Sequence, residues 1–508
     1  GAVIGRIMAY DDAFRDDPKT VAQTAGRIVG QVNSMELADQ EAKLEELGAI
    51  EMEAKDQRRE GLPELPGYEE GQQVVMRFAP NPNGPPTLGH SRGMCVNGWY
   101  AKEYDGELIL RFDDTDPVNK APWAPAYDMF EEAFAWLGID IQRVERASDR
   151  LEIYYEHAEQ VLEQGDAYVC TCEADTFRDL KNAGEACEHR DLPPEDNLAA
   201  WQGMLDGDLG PGEAVVRIKT DITHKDPALR DWVAMRIVEI DAHPHARTGT
   251  DFHVWPMLDF ESAIEDHLLG VTHIIRGKDL ADSERKQQFL YDHLGWTYPE
   301  VLHWGRVAVH GFGKFSTSGL RRDIEAGKYT GWDDPQLPTL AALKRRGFRP
   351  EAIMAFWVSL GLTEKDISAS LETLEAENRK RIDAEADRLF FVPDPVTCSI
   401  QGLEAPLEVH LPRHPTEDRG ERTVTVDGEV LVPTAALEGM ETGTVFRLKD
   451  GLDVRYDGGA SLTFVSAEPS EERDGPIVQW CPSPGVACQV LTPEGTRVEG
   501  RVEEGIRG

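Results

Sequence analysis

The apolar run Val74-Val75-Met76-Arg77-Phe78 stops at a stretch rich in Pro, Asn and Gly, Pro80 to Pro86, and a helical pattern starts near Leu88. A β-branched run closed by turn formers, then Met94, Cys95, Val96, Trp99 and Tyr100 at helical spacing, predicts a strand, a turn and a helix. This commits the region to an α/β arrangement, and it places a helix N-terminus beside the carboxyl end of a strand. Free backbone N–H groups and the helix dipole favour a phosphate there. Gly84 and Gly89 put no Cβ between backbone and a nucleotide, and His90 adds a donor in the first turn. Taken alone, the segment reads equally as an ordinary βα turn with a capping His.

A second polar loop lies far downstream. Lys314 and the hydroxyls of Ser316, Thr317 and Ser318 follow Gly311 and Gly313, a combination suited to gripping a triphosphate from the other side. Together the two segments resemble the HIGH and KMSKS signatures of class I aminoacyl-tRNA synthetases. Three further stretches resemble the glutamyl/glutaminyl subfamily in the family's order: Leu110 to Pro117, Gly270 to Asp279, and Gly331 to Pro335 with Leu337-Pro338-Thr339. The resemblance runs from roughly residue 74 to 390 and is to the archaeal and eukaryotic branch of the glutamate–tRNA ligases.

The resemblance implies an α/β fold: a split Rossmann-type catalytic domain with an inserted acceptor-binding domain, a helical linker domain and a C-terminal β-barrel region that grips the anticodon. The expected limits are a helical N-terminal extension over 1–70, the catalytic halves over 71–118 and 251–328, the insertion over 119–250, a helical domain over 329–389 and the β region over 390–508. Residue patterns agree with this division. Met35, Leu37, Leu44, Leu47 and Ile50 are spaced for one apolar helix face, and Gly61 to Gly67 reads as a linker. After Pro393, runs such as Glu408 to Leu411, Thr423 to Val426 and Thr444 to Leu448 alternate with turn residues as β-strands do.

Free glutamate carries two carboxylates and one ammonium, so a selective site needs two cationic forks and one acid. Arg77 after the first strand, Asp113 after the strand Glu107 to Phe112, and Arg276 after Val271 to Ile275 supply that set. By resemblance Asp113 takes the ammonium, the arginines take the carboxylates and Ala79 belongs to the same pocket. Which arginine meets which carboxylate stays open, and the alternative is that both merely pair with carboxylates such as Asp113 or Asp279. In the glutamine enzymes the position of Arg276 is typically an uncharged cysteine. A guanidinium here favours glutamate, because glutamine would leave it unpaired.

The resemblance implies activation of L-glutamate by ATP with Mg²⁺, then transfer to the 2′-hydroxyl of tRNA(Glu). The ATP site would comprise Gly84, Gly89, His90, Lys314, Ser316 and Ser318, with His90 and Lys314 catalytic. Three positions depart from the family: Thr87 replaces the first His of HIGH, Thr317 the second Lys of KMSKS, and Leu258 a common Tyr. Arg321 and Arg322 are candidates to replace the lost cations. Glutamine–tRNA ligase and a non-catalytic RNA-binding paralogue are the alternatives, and charging of tRNA(Gln) with glutamate stays open.

Within the insertion, Cys170-Thr171-Cys172 and Cys187-Glu188-His189 form two chelating pairs. Thiolates of Cys170, Cys172 and Cys187 with the imidazole of His189 suit a closed, structural, tetrahedral Zn²⁺. The alternative is thiols packed as small apolar groups with His189 in solvent. Cys95, Cys398, Cys481 and Cys488 read as core thiols, and His243 and His245 as loop residues.

Composition adds one constraint. Acidic residues number 93 against 53 basic, a net charge of −40. An RNA-binding protein ordinarily shows a basic face. In molar salt the Debye length falls to about 3 Å, so the repulsion is screened while hydrated carboxylates keep the surface solvated. The acidity therefore reads as adaptation to a salt-rich cytoplasm. With no long apolar run, no signal-peptide pattern and only seven cysteines, the expectation is a cytoplasmic monomer with no membrane or disulfide scaffold.

Overall fold

The computed structural model describes residues 18–35, 40, 43, 61–312 and 317–504. The chain separates into two compact units, Gly1–Glu60 and Gly61–Gly508. In the first, the helix Pro18–Asn33 is described; the apolar face expected at Leu37, Leu44, Leu47 and Ile50 lies outside the described residues.

The second unit is built on a five-stranded sheet. Its strands are β1 (Val75–Phe78), β2 (Glu107–Phe112), β3 (Arg143–Arg146), then, after an insertion containing β4 (Ala167–Cys170), β5 (Val215–Ile218), β6 (Val233–Ile237) and β7 (Val254–Pro256), β8 (His273–Gly277) and β9 (Glu300–Trp304). The spatial order is β3-β2-β1-β8-β9, with every pair parallel. Parallel strands covered on both faces read as near-continuous apolar runs, which is why β1, β2 and β8 are legible in the sequence. One face carries Met76, Leu108, Leu110 and Phe112 in the largest core cluster, with the helices Leu88–Glu103 and Pro350–Leu360 packed near it. The other face carries Val75, Ile109 and Ile274. A Cβ on Gly93 would meet the Phe78 ring at 2.5 Å, so only glycine lets the first helix sit this close to β1.

The order reverses between β1 and β8, and ligands of open α/β sheets bind outside the carboxyl ends of strands at such a switch point. Arg77, Asp113 and Arg276 all lie at those ends.

Several details differ from the sequence reading. β3 comes from the stretch read as insertion; its sequence, Arg-Val-Glu-Arg, lacks the apolar character that marks a buried strand. The segment Gly61 to Gly67 is docked, not free: Leu62 and Leu65 are buried, and Pro63 and Pro66 carbonyls accept from Tyr100 and His273. Among the helices after residue 329, Ile367–Ser370 is a strand that pairs in parallel with Val307–His310. β4 to β7 form an antiparallel sheet with its own core around Trp201, Trp255 and Phe260, so β7, expected in the second catalytic half that starts at 251, pairs instead with the insertion's β6.

Past residue 390 the chain is sheet-rich, as expected. A seven-stranded sheet ends on one side with Ile477–Val478 and on the other with Cys481–Pro482. Only Gln479 and Trp480 separate these edge strands in sequence, too short a chain to cross a flat sheet of that width. The sheet must therefore curl towards closure, and Trp480 is buried in its core. Cys95, Cys398 and Cys481 are buried thiols and Cys488 is half-buried.

Candidate functional site

At the switch point lies a cleft of about 480 Å³. Arg77 and Ala79 reach it from β1, Asp113 from β2, and Arg276 from β8, so the proposed amino-acid residues converge on one space. Leu258 borders the same cleft and is 41% exposed, leaving the wall apolar where the family commonly has a phenol.

Beneath the cleft is a buried charge network that the sequence reading missed. Asp266, on the helix Leu258–Leu268, accepts from Arg77 Nε at 3.1 Å and from Arg111 Nη1 at 2.7 Å, and Arg276 Nη2 lies 3.9 Å from its other oxygen. Arg111 also grips Asp113, Nε to Oδ1 at 2.7 Å and Nη2 to Oδ2 at 3.2 Å. Arg77 and Arg276 do pair with a carboxylate, but it is Asp266 and neither Asp113 nor Asp279, the partners named in the alternative reading. Burial opposes the ionised form of Asp266, yet the neighbouring guanidiniums of Arg77, Arg111 and Arg276 and the Arg77 hydrogen bond together hold its carboxyl below the usual range.

Glu261 lies on the same helix, fully buried, with neither carboxylate oxygen hydrogen-bonded. Burial, followed by the facing Asp113, raises its carboxyl well above the ordinary range, and Arg111 at 3.9 Å only partly opposes this. With Glu261 biased in this way towards its protonated form, the floor sets the guanidiniums of Arg77, Arg111 and Arg276 against the carboxylates of Asp113 and Asp266, an excess of one positive charge.

A carboxyl raised on folding binds a proton that the unfolded chain has lost, so stability falls as pH rises from the unfolded carboxyl pKa of about 4.3 towards the folded one. Glu261→Gln removes that cost. The variant should be the more stable at neutral pH, and its advantage should grow by about 1.4 kcal/mol per pH unit through that window and shrink as pH falls to about 4. Urea unfolding at a series of pH values reads this directly; equal stability of both proteins at neutral pH contradicts a neutral Glu261.

Arg276 is oriented by Gln287. The amide oxygen of Gln287 accepts from Arg276 Nη1 at 3.1 Å and from the Tyr298 hydroxyl at 2.6 Å, while its nitrogen donates to Ser262 at 2.7 Å. Arg276 Nε is buried without a partner, a spare donor in a side chain that borders the cleft. Asp114, adjacent to Asp113, serves a structural purpose: it accepts from Tyr127 and from the Ser148 N–H and hydroxyl, while its carbonyl lies 2.9 Å from His245 Nε2. His245 is thus a buried anchor for the insertion.

The nucleotide signature is described in part. Gly89 borders a second cavity of about 310 Å³ that shares Gly277, Asp279 and Trp304 with the first. A Cβ on Gly89 would meet only Thr87 Oγ1, at 3.6 Å, and Gly84 is buried in the turn. Thr87 caps the helix, and His90 Nδ1 accepts from the Thr87 N–H at 3.1 Å. Burial pushes the His90 pKa down to about 4, so the ring is neutral with its proton on Nε2. Arg321 donates to the Asn83 carbonyl at 3.2 Å and lies over the Trp123 ring at 5.0 Å, placing one candidate replacement cation against the turn. Lys314 and Ser316 lie outside the described residues; Ser318 is within the helix Thr317–Glu325, with its side chain outside them.

In the insertion, one ligand atom from each of Cys170, Cys172, Cys187 and His189 lies within 4.8 Å of the others. Cys172 Sγ is 3.3 Å from His189 Nδ1, and Thr171 Oγ1 is 2.8 Å from His189 Nε2. Hydrogen bonding to Cys187, then to Arg217, outweighs burial and brings the Cys170 thiol down to about 7. Three thiols and an imidazole at this spacing fit a tetrahedral thiophilic ion, with Thr171 positioned to fix the imidazole.

Residues 73–384 match the family described as tRNA synthetases class I (E and Q), catalytic domain. Residues 386–464 match tRNA synthetases class I (E and Q), anti-codon binding domain. The chain is 48% identical to the glutamate–tRNA ligase of Methanosarcina mazei over 99% of its own length and 89% of that protein's. It is 49% identical to that of Methanocella arvoryzae, covering 97% and 88% respectively, and 48% identical to that of Archaeoglobus fulgidus, covering 95% and 86%. Among the described residues no helix is long and apolar enough to cross a membrane.

Proposed function

The chain belongs to the class I tRNA synthetases of the E and Q type, and from that premise we propose that it attaches L-glutamate to tRNA, through a glutamyl-adenylate, at the switch-point cleft. The observation that carries the choice of amino acid is the surplus positive charge of the floor. Arg77, Arg111 and Arg276 face only Asp113 and Asp266 as ionised partners. Glutamate, with two carboxylates and one ammonium, carries the single negative charge that balances it. Glutamine is neutral and would leave a buried cation uncompensated, a mismatch of several kcal/mol.

Asp113 takes the ammonium, and Arg77 and Arg276 take the carboxylates beside Ala79. The α-carboxylate oxygen attacks the α-phosphorus of ATP, the bond to the bridging oxygen breaks, and pyrophosphate leaves with its Mg²⁺. Little covalent chemistry falls to protein groups, so positioning and charge stabilisation dominate. Gly84, Gly89, the helix N-terminus and the His90 Nε2–H hold the nucleotide together with Lys314, Ser316 and Ser318, and Arg321 stiffens the turn at Asn83. A terminal ribose hydroxyl of tRNA then attacks the acyl carbon and AMP leaves. Incubation with ATP, tRNA and labelled glutamate in high salt tests this: formation of a base-labile glutamyl ester on tRNA supports it, and its absence at every salt concentration rejects it.

We further assign a structural Zn²⁺ to Cys170, Cys172, Cys187 and His189, which when bound would tie the end of β4 to the segment between the helices Ala174–Ala183 and Pro194–Asp206. Metal analysis of protein prepared without chelator should give one zinc per chain, falling to near zero in Cys187→Ser. A wild-type protein without zinc would reject the assignment.

A further inference from the structure

Gln287, on the helix Ala281–Leu294, borders the reaction cleft and is 1% exposed. The direction of its amide is fixed by its surroundings. One end meets two donors, the Arg276 guanidinium at 3.1 Å and the Tyr298 hydroxyl at 2.6 Å, so that end is the oxygen. The other end meets the Ser262 hydroxyl at 2.7 Å and the Asp259 carbonyl at 3.3 Å. A carbonyl can only accept, so an N–H must face it. The place is built for an amide, because an ionised carboxylate would set a second acceptor against the Asp259 carbonyl.

The electrostatic result falls on Arg276. Its Nη1 donates to a neutral oxygen, and its Nε is buried without a partner. Among the described residues the carboxylate paired with it is Asp266, 3.9 Å from Nη2 and shared with Arg77 and Arg111. Arg276 is thus held in place without being neutralised. We propose that Gln287 is a positioning residue that sets the specificity of the site: it aims the Arg276 guanidinium and leaves its charge to a carboxylate of the substrate. An acid at this place would hold the guanidinium at least as firmly, through a charge-assisted bond, but would cancel the positive charge that favours glutamate over glutamine. The amide of Gln287 is therefore as much a part of the choice of amino acid as the charge of Arg276. The inference rests on the tRNA ligase reading and assigns its discrimination to a residue behind the arginine.

Exchange of labelled pyrophosphate into ATP, with tRNA present and in high salt, compares full-length wild type with Gln287→Glu and Gln287→Met on glutamate and on glutamine. Gln287→Glu lowers kcat/KM for glutamate about a hundredfold, does not lower that for glutamine, and holds KM for ATP within about twofold. Gln287→Met removes the tether but not the charge: KM for glutamate rises about tenfold, glutamate stays the preferred substrate and KM for ATP is again unchanged. Gln287→Met adds no charge, so it decides the positioning role even if Gln287→Glu fails to fold. The assignment is overturned by a KM for glutamate unchanged in Gln287→Met, or by equal losses for glutamate, glutamine and ATP in either variant. Exchange that prefers glutamate as strongly in Gln287→Glu as in wild type overturns this assignment alone, whereas no exchange in wild type with either amino acid overturns the ligase reading and the assignment with it.

Discussion

Arg276→Gln lowers kcat/KM for glutamate by about a hundredfold to a thousandfold and leaves KM for ATP within about twofold, a loss of about 3–4 kcal/mol in the range seen when one partner of a buried charged contact is removed. The argument is electrostatic. With Glu261 neutral, Arg276 supplies the charge by which the floor exceeds its carboxylates, and its buried Nε has no partner within the protein. Glutamine keeps a donor for Gln287 but not the charge. Glutamate would then enter a floor whose fixed charges already cancel. Steady-state kinetics over each substrate read the split, and equal losses for glutamate and ATP would show that Arg276 supports the fold generally and does not select the substrate.

Asp266→Asn destabilises the protein by about 3–5 kcal/mol at neutral pH, the cost of leaving buried charges without their partner. Asp266 alone touches all three guanidiniums, and it is almost fully enclosed. An asparagine of the same shape still accepts one hydrogen bond but neutralises nothing. The pH dependence has a definite sign. A carboxyl held low in the folded state contributes stability that is fully present above its unfolded pKa of about 3.9 and is lost as pH falls through the folded value. The gap between wild type and variant should therefore be full at pH 6 to 8 and close only in acid. Denaturant midpoints that differ by less than about 1 kcal/mol at neutral pH would contradict this account of the network.

Much of the site was legible in the sequence because chemistry and fold pointed to the same residues. Val75–Phe78, Glu107–Phe112 and the run before Arg276 are apolar strands, and each delivers a charged residue at or near its carboxyl end, where doubly wound sheets collect ligands. The Cys and His pairs were legible for a similar reason, since a chelating spacing survives whatever surrounds it. Asp266 and Glu261 were not, because both sit on a helix otherwise marked by buried Phe260, Ala263 and Ile264. Acids interleaved with core positions are the one signal that was available: a buried helix face that carries Glu261, Glu265 and Asp266 must meet cations or protons somewhere. Arg111 was equally hidden, being a cation inside an apolar strand whose partner helix lies far away in sequence. β3 was missed because an edge strand needs little apolar pattern. Thr87 reads as a loss in the signature, yet in the structure it caps the helix and fixes the His90 tautomer.

The most direct measurement of the central claim is amino-acid-dependent exchange of labelled pyrophosphate into ATP in high salt, with tRNA present and absent, comparing glutamate with glutamine. A cleft floor that carries one uncompensated positive charge predicts exchange with glutamate exceeding that with glutamine by at least about a hundredfold in kcat/KM, with Arg276→Gln erasing most of the difference. Exchange with glutamine equal to or above that with glutamate, or discrimination untouched in Arg276→Gln, would contradict it.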